Sequence, residues 1–140
     1  MKKISVLIVD DDHDDRYLLR RSLEMTNMVG KVFEADDGKT AMEFFAQHEA
    51  NMKDGSGDYP PTIVFLDVNM PLVGGFEFLE QFASIRGDKQ LTAVVVMMYT
   101  SSEREEDKRA AARHDFVRGF VTKSSISPDD LAEKLASACG

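Results

Sequence analysis

Carboxylates crowd the end of the first apolar segment of the chain. The stretch VLIVDDDHDD, residues 6–15, places five aspartates directly after four apolar residues. Two like charges about 4 Å apart repel each other by roughly 4 kcal/mol at an effective dielectric constant near 20. The segment therefore predicts a neutralising partner at this point: a divalent cation, a basic side chain or a helix N-terminus.

The positions of these aspartates suggest a division of roles. Asp10 and Asp11 are candidate ligands for a hard cation such as Mg2+, which prefers carboxylate oxygens. Asp12 is suited to cap a helix, and Asp14 and Asp15 to complement the helix dipole in its first turn. An EF-hand loop starting at residue 10 would need glycine at position 15 and glutamate at position 21, and neither is present. From this segment alone, helix capping and metal binding explain the acidic residues equally well.

Three further reactive side chains end later apolar segments, namely Asp67, Thr100 and Lys123. A carboxylate beside a divalent cation can attack phosphorus, because the metal screens its repulsion of an anionic phosphoryl group. A hydroxyl and an ammonium group could then hold the phosphoryl oxygens. Taken singly, Thr100 is more often an ordinary hydroxyl at a strand end, and Lys123 is more often a solvated cation. Taken together with the acidic segment, the three side chains favour a site for phosphoryl transfer over three unrelated roles.

Strand-sized apolar segments alternate with segments of helical periodicity. The predicted strands are residues 5–9, 31–35, 62–66, 93–99 and 119–122, and the predicted helices are residues 14–25, 39–47, 76–85, 103–113 and 128–138. Continuous apolar strands such as AVVVMMY indicate burial on both faces, as crossover helices produce on a parallel sheet. We predict one doubly wound α/β domain, in which ligands bind beyond the carboxyl ends of the strands.

Polar residues mark several boundaries between these elements. Ser127 is the predicted N-cap of the last helix, with Pro128 at its first position. Asp36 and Asp37 are interpreted as a turn and a helix cap after the second strand. Residues 48–61 mix glycine, proline and charge without periodicity, which predicts a long surface connection.

Composition excludes several classes of protein. The 140 residues suit one globular domain, and the formal net charge of -8 offers no basic patch for nucleic acid. Cys139 is the only cysteine, so a disulfide within the chain is excluded and a reducing compartment is expected. The longest apolar segment is far shorter than the roughly 20 residues of a membrane helix. We expect a cytoplasmic protein that binds neither nucleic acid nor membrane.

Four segments, VLIVDDD, IVFLDVNMP, VVVMMYTSS and GFVTKS, resemble the receiver domain of two-component response regulators. The resemblance covers nearly the whole chain. It implies a flavodoxin-like fold with five parallel strands in the order 2-1-3-4-5, flanked by five helices. It also implies a stand-alone receiver over residues 1–140, similar to the chemotaxis regulators and without an output domain. Such a protein serves in a phosphorelay and is not an enzyme acting on a separate substrate.

The resemblance also implies a role for each acidic site residue. Asp67 would be the phosphoacceptor. Asp11, Asp67 and the backbone carbonyl of Asn69 would bind Mg2+, for which Mn2+ could substitute. Asp10 would support the ion through a water molecule.

The remaining implied roles concern phosphoryl binding and signalling. Thr100 and Lys123 would hold the phosphoryl oxygens, and Thr100 and Phe120 would form a switch. The phosphoryl donor would be a sensor histidine kinase or a histidine phosphotransfer protein. A downstream protein or a second copy of the chain would bind the face formed by the fourth helix, the fifth strand and the fifth helix.

The chain departs from the receiver pattern in three places. Ser124 replaces the proline that usually follows the lysine, and a cis peptide before a non-proline residue costs about 3 kcal/mol. Residues 114–119, HDFVRG, replace the common Gly-Ala step before the fifth strand. With the long connection at residues 48–61, these departures resemble single-domain regulators of phytochrome-type and related hybrid kinases.

Two other functional classes remain as alternatives. A hydrolase of the haloacid dehalogenase type also has a nucleophilic aspartate at a strand end, but it needs a second aspartate two residues later, where Asn69 stands. A receiver-shaped binding module that no longer takes phosphate is the other alternative, which the Ser124 departure keeps open.

Overall fold

The computed structural model describes residues 3–53, 57–68, 70, 74–87, 91–101, 104–123 and 127–139. Five strands form one sheet: β1 (Ile4–Val9), β2 (Val29–Ala35), β3 (Ile63–Leu66), β4 (Val95–Thr100) and β5 (Val117–Thr122). All neighbouring strands are parallel, in the order β2-β1-β3-β4-β5. The predicted doubly wound sheet and its strand order are confirmed. The order changes direction between β1 and β3, so the crevice at their carboxyl ends is the expected ligand position.

Six helices flank the sheet: α1 (His13–Met25), α2 (Gly38–Ala46), α3 (His48–Lys53), α4 (Gly75–Ile85), α5 (Glu105–Ala112) and α6 (Pro128–Cys139). Five of them lie at the predicted helical segments. Helix α3 lies in the segment predicted as a surface connection, so the expectation of five helices was wrong. This short helix buries none of its residues, and the sequence therefore carries no apolar stripe that would indicate it.

The core consists of two apolar clusters, one on each face of the sheet. On one face, α1 and α6 pack their leucines, including Leu19 and Leu131, against β1 and β3. On the other face, α2 and α4 contribute a group of aromatic rings, among them Phe45, Phe78 and Phe82. Every residue of β3 and β4 is buried, which confirms the burial on both faces predicted from their continuous apolar sequences.

Side-chain caps fix the starts of three helices at the predicted residues. The Asp12 carboxylate accepts hydrogen bonds from the two amides at positions 14 and 15, at 2.8 and 3.2 Å. The Asp37 carboxylate accepts one from the amide of residue 40 at 2.7 Å, and the Ser127 hydroxyl accepts one from the amide of residue 130 at 3.2 Å. The Asp12 side chain is therefore engaged in capping α1.

No helix in the described ranges combines the length and the apolar character that crossing a bilayer requires.

Candidate functional site

Asp10 lies at the carboxyl end of β1 and is completely buried. Its Oδ1 accepts a hydrogen bond from the Asp12 amide at 2.9 Å. Its Oδ2 lies 2.6 Å from Lys123 Nζ, an ionic contact outside hydrogen-bond geometry, so this oxygen has no hydrogen-bond partner among the described residues. Burial raises the pKa of Asp10, and the opposing effects of Lys123 and the Asp12 amide do not cancel the rise. The contacts of Asp10 with Lys123 and the Asp12 amide thus compensate its burial only in part.

Asp67 follows β3 and lies beside Asp10. The parallel register pairs Val9 with Leu66, and the Asp67 amide donates a hydrogen bond to the Val9 carbonyl at 3.0 Å. One oxygen from each of Asp10, Asp11 and Asp67 can be chosen so that all three atoms lie within 4.8 Å of one another. Asp11 is exposed, and Asp67 keeps 8% of its side-chain area accessible. The structure therefore brings the three predicted carboxylates together, with two of them reachable from solvent.

Strands β4 and β5 place Thr100 and Lys123 at the same edge of the sheet. Thr100 pairs with Thr122 in the register, and Lys123 is the next residue. Thr100 is buried, and the Lys123 side chain is 13% exposed. Lys123 Nζ donates a hydrogen bond to Asp67 Oδ2 at 3.4 Å. The candidate phosphoacceptor and the candidate phosphoryl-binding cation are therefore in contact.

Asp15 also reaches the site, which the sequence analysis missed. It lies in the first turn of α1 as predicted, but Lys123 Nζ also donates a hydrogen bond to its Oδ2 at 2.9 Å. Leu19 and Leu23, four and eight residues later, are the buried residues of α1. Residues four apart share a helix face, so this spacing was the available signal that Asp15 faces inward.

Lys123 is held as a cation. Burial alone would lower its pKa, but the contacts with Asp10 and Asp15 and the charge of Asp67 outweigh burial and raise the pKa well above the usual lysine value. The ammonium group lies 5.2 Å from the centre of the Tyr99 ring. Burial raises the pKa of Tyr99 to about 12, and the charge of Asp15 adds to the rise.

Negative charge exceeds positive charge in this pocket. Among the described residues, Lys123 is the one cation that contacts the Asp10, Asp15 and Asp67 carboxylates. The nearby Arg16 guanidinium donates to the Asp10 backbone carbonyl at 2.6 Å and pairs with a glutamate of β2. An acidic pocket in which three carboxylates share one ammonium group fits a hard divalent cation with oxygen ligands.

Gly75 supports the backbone beneath the site. Its amide donates a hydrogen bond to the Val68 carbonyl at 3.0 Å. A Cβ atom at position 75 would lie 2.4 Å from the Asp67 carbonyl oxygen and 2.9 Å from Val68 Cα. Both atoms belong to the backbone and cannot rotate away, so the start of α4 packs directly under Asp67 only if residue 75 is glycine.

We expect Gly75→Ala to lower the free energy of unfolding by about 1–3 kcal/mol through overpacking, although alanine normally favours a helix. Gly74→Ala is the matched control, because its Cβ would meet its nearest atom, the Val68 carbonyl oxygen, at an ordinary 3.7 Å. Urea denaturation of both variants measures the difference. Equal stabilities would show that the backbone contact at position 75 is unimportant.

Three further residues singled out in the sequence are Asn69, Ser124 and Phe120. Asn69 and Ser124 lie outside the described residues, and with them the Asn69 carbonyl ligand and the peptide bond before Ser124. Phe120 lies in β5, partly buried, opposite Met98 of β4 and packed against the core. It is therefore on the predicted strand, two pairs before the end of β4.

Comparisons with known proteins show to which family the chain belongs. The family model of the response regulator receiver domain matches residues 6–136. A probable methanogenesis regulatory protein, FilR2 of Methanothrix harundinacea, is 32% identical over 127 residues, covering 90% of this chain and 75% of that protein.

Solved structures show the same architecture. A two-component response regulator from Cytophaga hutchinsonii has a TM-score of 0.81 at 25% identity, covering 98% of both chains. The receiver domain of the histidine kinase CKI1 from Arabidopsis thaliana, complexed with Mg2+ and BeF3-, shares the fold with a TM-score of 0.77 at 22% identity, covering 96% of this chain and 90% of that one. The chain therefore belongs to the response regulator receiver domain family and is a signalling domain of phosphorylation-based two-component systems.

Proposed function

We propose that the chain accepts a phosphoryl group on Asp67 from a phosphohistidine donor, in a reaction that depends on Mg2+. The observation that carries this proposal is the meeting of Asp10, Asp11 and Asp67 within 4.8 Å, with Lys123 Nζ 3.4 Å from Asp67. A carboxylate oxygen of Asp67 forms the new P–O bond while the P–N bond to the donor imidazole breaks. The donor is a sensor histidine kinase or a histidine phosphotransfer protein.

Accessibility supports the choice of Asp67 as the phosphoacceptor. Asp10 is completely buried, whereas Asp67 keeps 8% of its side-chain area accessible at the floor of the crevice. Lys123 contacts Asp67 and can pass to a phosphoryl oxygen with a small movement of its ammonium group. The Thr100 hydroxyl, at the end of the neighbouring strand, would bind a second phosphoryl oxygen.

Asp11 and Asp67 would hold Mg2+ directly, with the Asn69 carbonyl, and Asp10 would support it through water. The bound ion would screen the repulsion between these carboxylates and the incoming phosphoryl group. The receiver of CKI1, which shares the fold, was solved in complex with Mg2+ and BeF3-, and this supports the choice of Mg2+ as the ion. Mn2+ should substitute, because it accepts the same oxygen ligands.

Signalling would proceed from Thr100 and Phe120 to the surface. Movement of Thr100 towards the phosphoryl group would open space next to β5, which Phe120 would fill. A groove beside Phe120, between β5 and α6, is lined by Thr122, Asp130 and Lys134. The face formed by α5, β5 and α6 would thus change and bind a downstream protein or a second copy. We propose that residues 1–140 act in the cytoplasm as a receiver domain that does not turn over a separate substrate.

Intact mass spectrometry after incubation with acetyl phosphate tests this function. With Mg2+ we expect a labile gain of one phosphoryl group, and with excess EDTA no gain. Steady release of phosphate from phosphomonoesters would instead support a hydrolase. Absence of an adduct with Mg2+ or Mn2+ would contradict the proposal and favour a binding module.

Binding of Mg2+ should raise the stability of the folded protein. At a hundredfold excess over its dissociation constant, Mg2+ should stabilise the protein by about 2.7 kcal/mol, because it binds only the folded site. Asp11→Asn should remove most of this stabilisation. Asp14→Asn should retain it, because that carboxylate is 94% exposed. Thermal unfolding with and without Mg2+ measures the shift, and equal shifts in both variants would contradict the ligand assignment.

A further inference from the structure

Lys123 contacts three carboxylates in this pocket. Its ammonium group lies 2.6 Å from Asp10, 2.9 Å from Asp15 and 3.4 Å from Asp67. The contact with the candidate phosphoacceptor is therefore the longest of the three. A phosphoryl group on Asp67 would have to draw the ammonium group towards itself, away from at least one of the other carboxylates.

Asp15 is the partner that the ammonium group can most readily leave. Its side chain is 30% exposed, so water can solvate the carboxylate when the lysine moves away. Asp10 is completely buried, so bulk water does not solvate its carboxylate when the lysine moves away. Asp15 and the phosphoryl group therefore compete for the ammonium group of Lys123.

The backbone holds Asp15 in place for this contact. Its amide donates a hydrogen bond to the Asp12 carboxylate at 3.2 Å, and its carbonyl accepts one from the Tyr99 hydroxyl at 3.4 Å. The same helix face carries Leu19, which is completely buried. The backbone of Asp15 is thus held at its amide and its carbonyl, and its side chain reaches Lys123.

We propose that Asp15 is a positioning residue that holds Lys123 on the α1 side of the pocket, slowing phosphorylation of Asp67 and shortening the lifetime of the phosphorylated state. This inference rests on the proposed function of Asp67. Two effects act in the same direction. The Asp15 carboxylate competes with phosphoryl oxygens for the ammonium group, and its negative charge repels the anionic donor.

Asp15→Asn tests this inference, because asparagine keeps the size and removes the charge. With acetyl phosphate and Mg2+, we expect its phosphorylation rate constant to rise and its dephosphorylation rate constant to fall, each by about twofold to fivefold, the effect of a partly exposed ion pair. Damage to the fold would slow phosphorylation, so opposite changes in the two constants are specific to the proposal. Asp15→Glu restores the carboxylate and should lie closer to the wild-type values.

Asp14→Asn is the matched control. It removes the same charge from the same helical turn, but its carboxylate is 94% exposed, so both rate constants should stay close to wild type. A crystal structure of Asp15→Asn without metal should show Lys123 Nζ closer to Asp67 than 3.4 Å. A wild-type protein that takes no phosphoryl group would overturn the proposed function. A phosphorylated wild type, with Asp15→Asn indistinguishable from Asp14→Asn, would overturn this inference alone.

Discussion

Asp67→Asn should abolish the gain of a phosphoryl group from acetyl phosphate. Asparagine has nearly the same shape as aspartate, but its amide is not a nucleophile towards phosphorus. Asp67 is the partly accessible member of the buried pair, and Asp10 cannot replace it because it is completely buried. Intact mass spectrometry under the conditions that label the wild type checks this result.

The Asp67→Asn variant should still fold, so unfolding would not explain the missing adduct. Asp67→Asn removes one of three carboxylates that share Lys123, so it relieves repulsion between like charges. We therefore expect the variant to unfold at the same temperature as the wild type or at a higher one. Asp36→Asn is the control, because this exposed aspartate follows β2 and its carboxylate accepts a hydrogen bond from Thr40. An adduct retained in Asp67→Asn would exclude Asp67 as the phosphoacceptor.

Lys123→Ala should lower the free energy of unfolding by about 3–5 kcal/mol at neutral pH, the usual cost of removing one partner of a buried ion pair. In the variant, Asp10, which is completely buried in the wild type, lies beside the Asp15 and Asp67 carboxylates without their shared cation. Urea denaturation in EDTA measures this loss. Lys108→Ala is the control, since that side chain is 43% exposed and pairs loosely with Glu105 at 3.9 Å, so its loss should cost less than about 1 kcal/mol.

Mg2+ and pH should each restore part of the stability of Lys123→Ala. A divalent cation can take over the charge compensation, so added Mg2+ should raise the melting temperature of the variant more than that of the wild type. The pKa of Asp10 is raised by burial, so the folded state binds its proton more tightly than the unfolded state. Stability of the variant should therefore increase as the pH falls through the raised pKa of Asp10. If the free energy of unfolding of Lys123→Ala in EDTA lies within about 1 kcal/mol of the wild-type value, Lys123 does not stabilise a buried ion pair as proposed.

The sequence was sufficient to predict the sheet and the larger helices, because their apolar residues recur with strong periodicity. Helix α3 was missed since it buries no side chain and leaves no such pattern. Strand β2 begins at Val29, two residues before the predicted start, because Val29 pairs with Ile4 across the sheet. Long-range pairing of this kind is not visible in local sequence.

The positions of the candidate site residues were predictable for a different reason. In a parallel sheet the residues that follow neighbouring strands meet at one edge, so Asp10, Asp67 and Lys123 could be placed together from strand ends alone. Asp15 comes from a helix, and its contribution depends on the rotation of α1 about its axis. Leu19 and Leu23 define that rotation, but only once their burial against the sheet is known.

The position of the covalent phosphoryl group is the most direct test of the central claim. Borohydride reduces an aspartyl phosphate to homoserine, so treatment of the protein after incubation with acetyl phosphate and Mg2+ marks the phosphorylated residue. Peptide mapping by tandem mass spectrometry should then find homoserine at position 67. Homoserine at Asp10 or Asp11, or no homoserine in a protein whose intact mass shows the adduct, would contradict phosphorylation of Asp67.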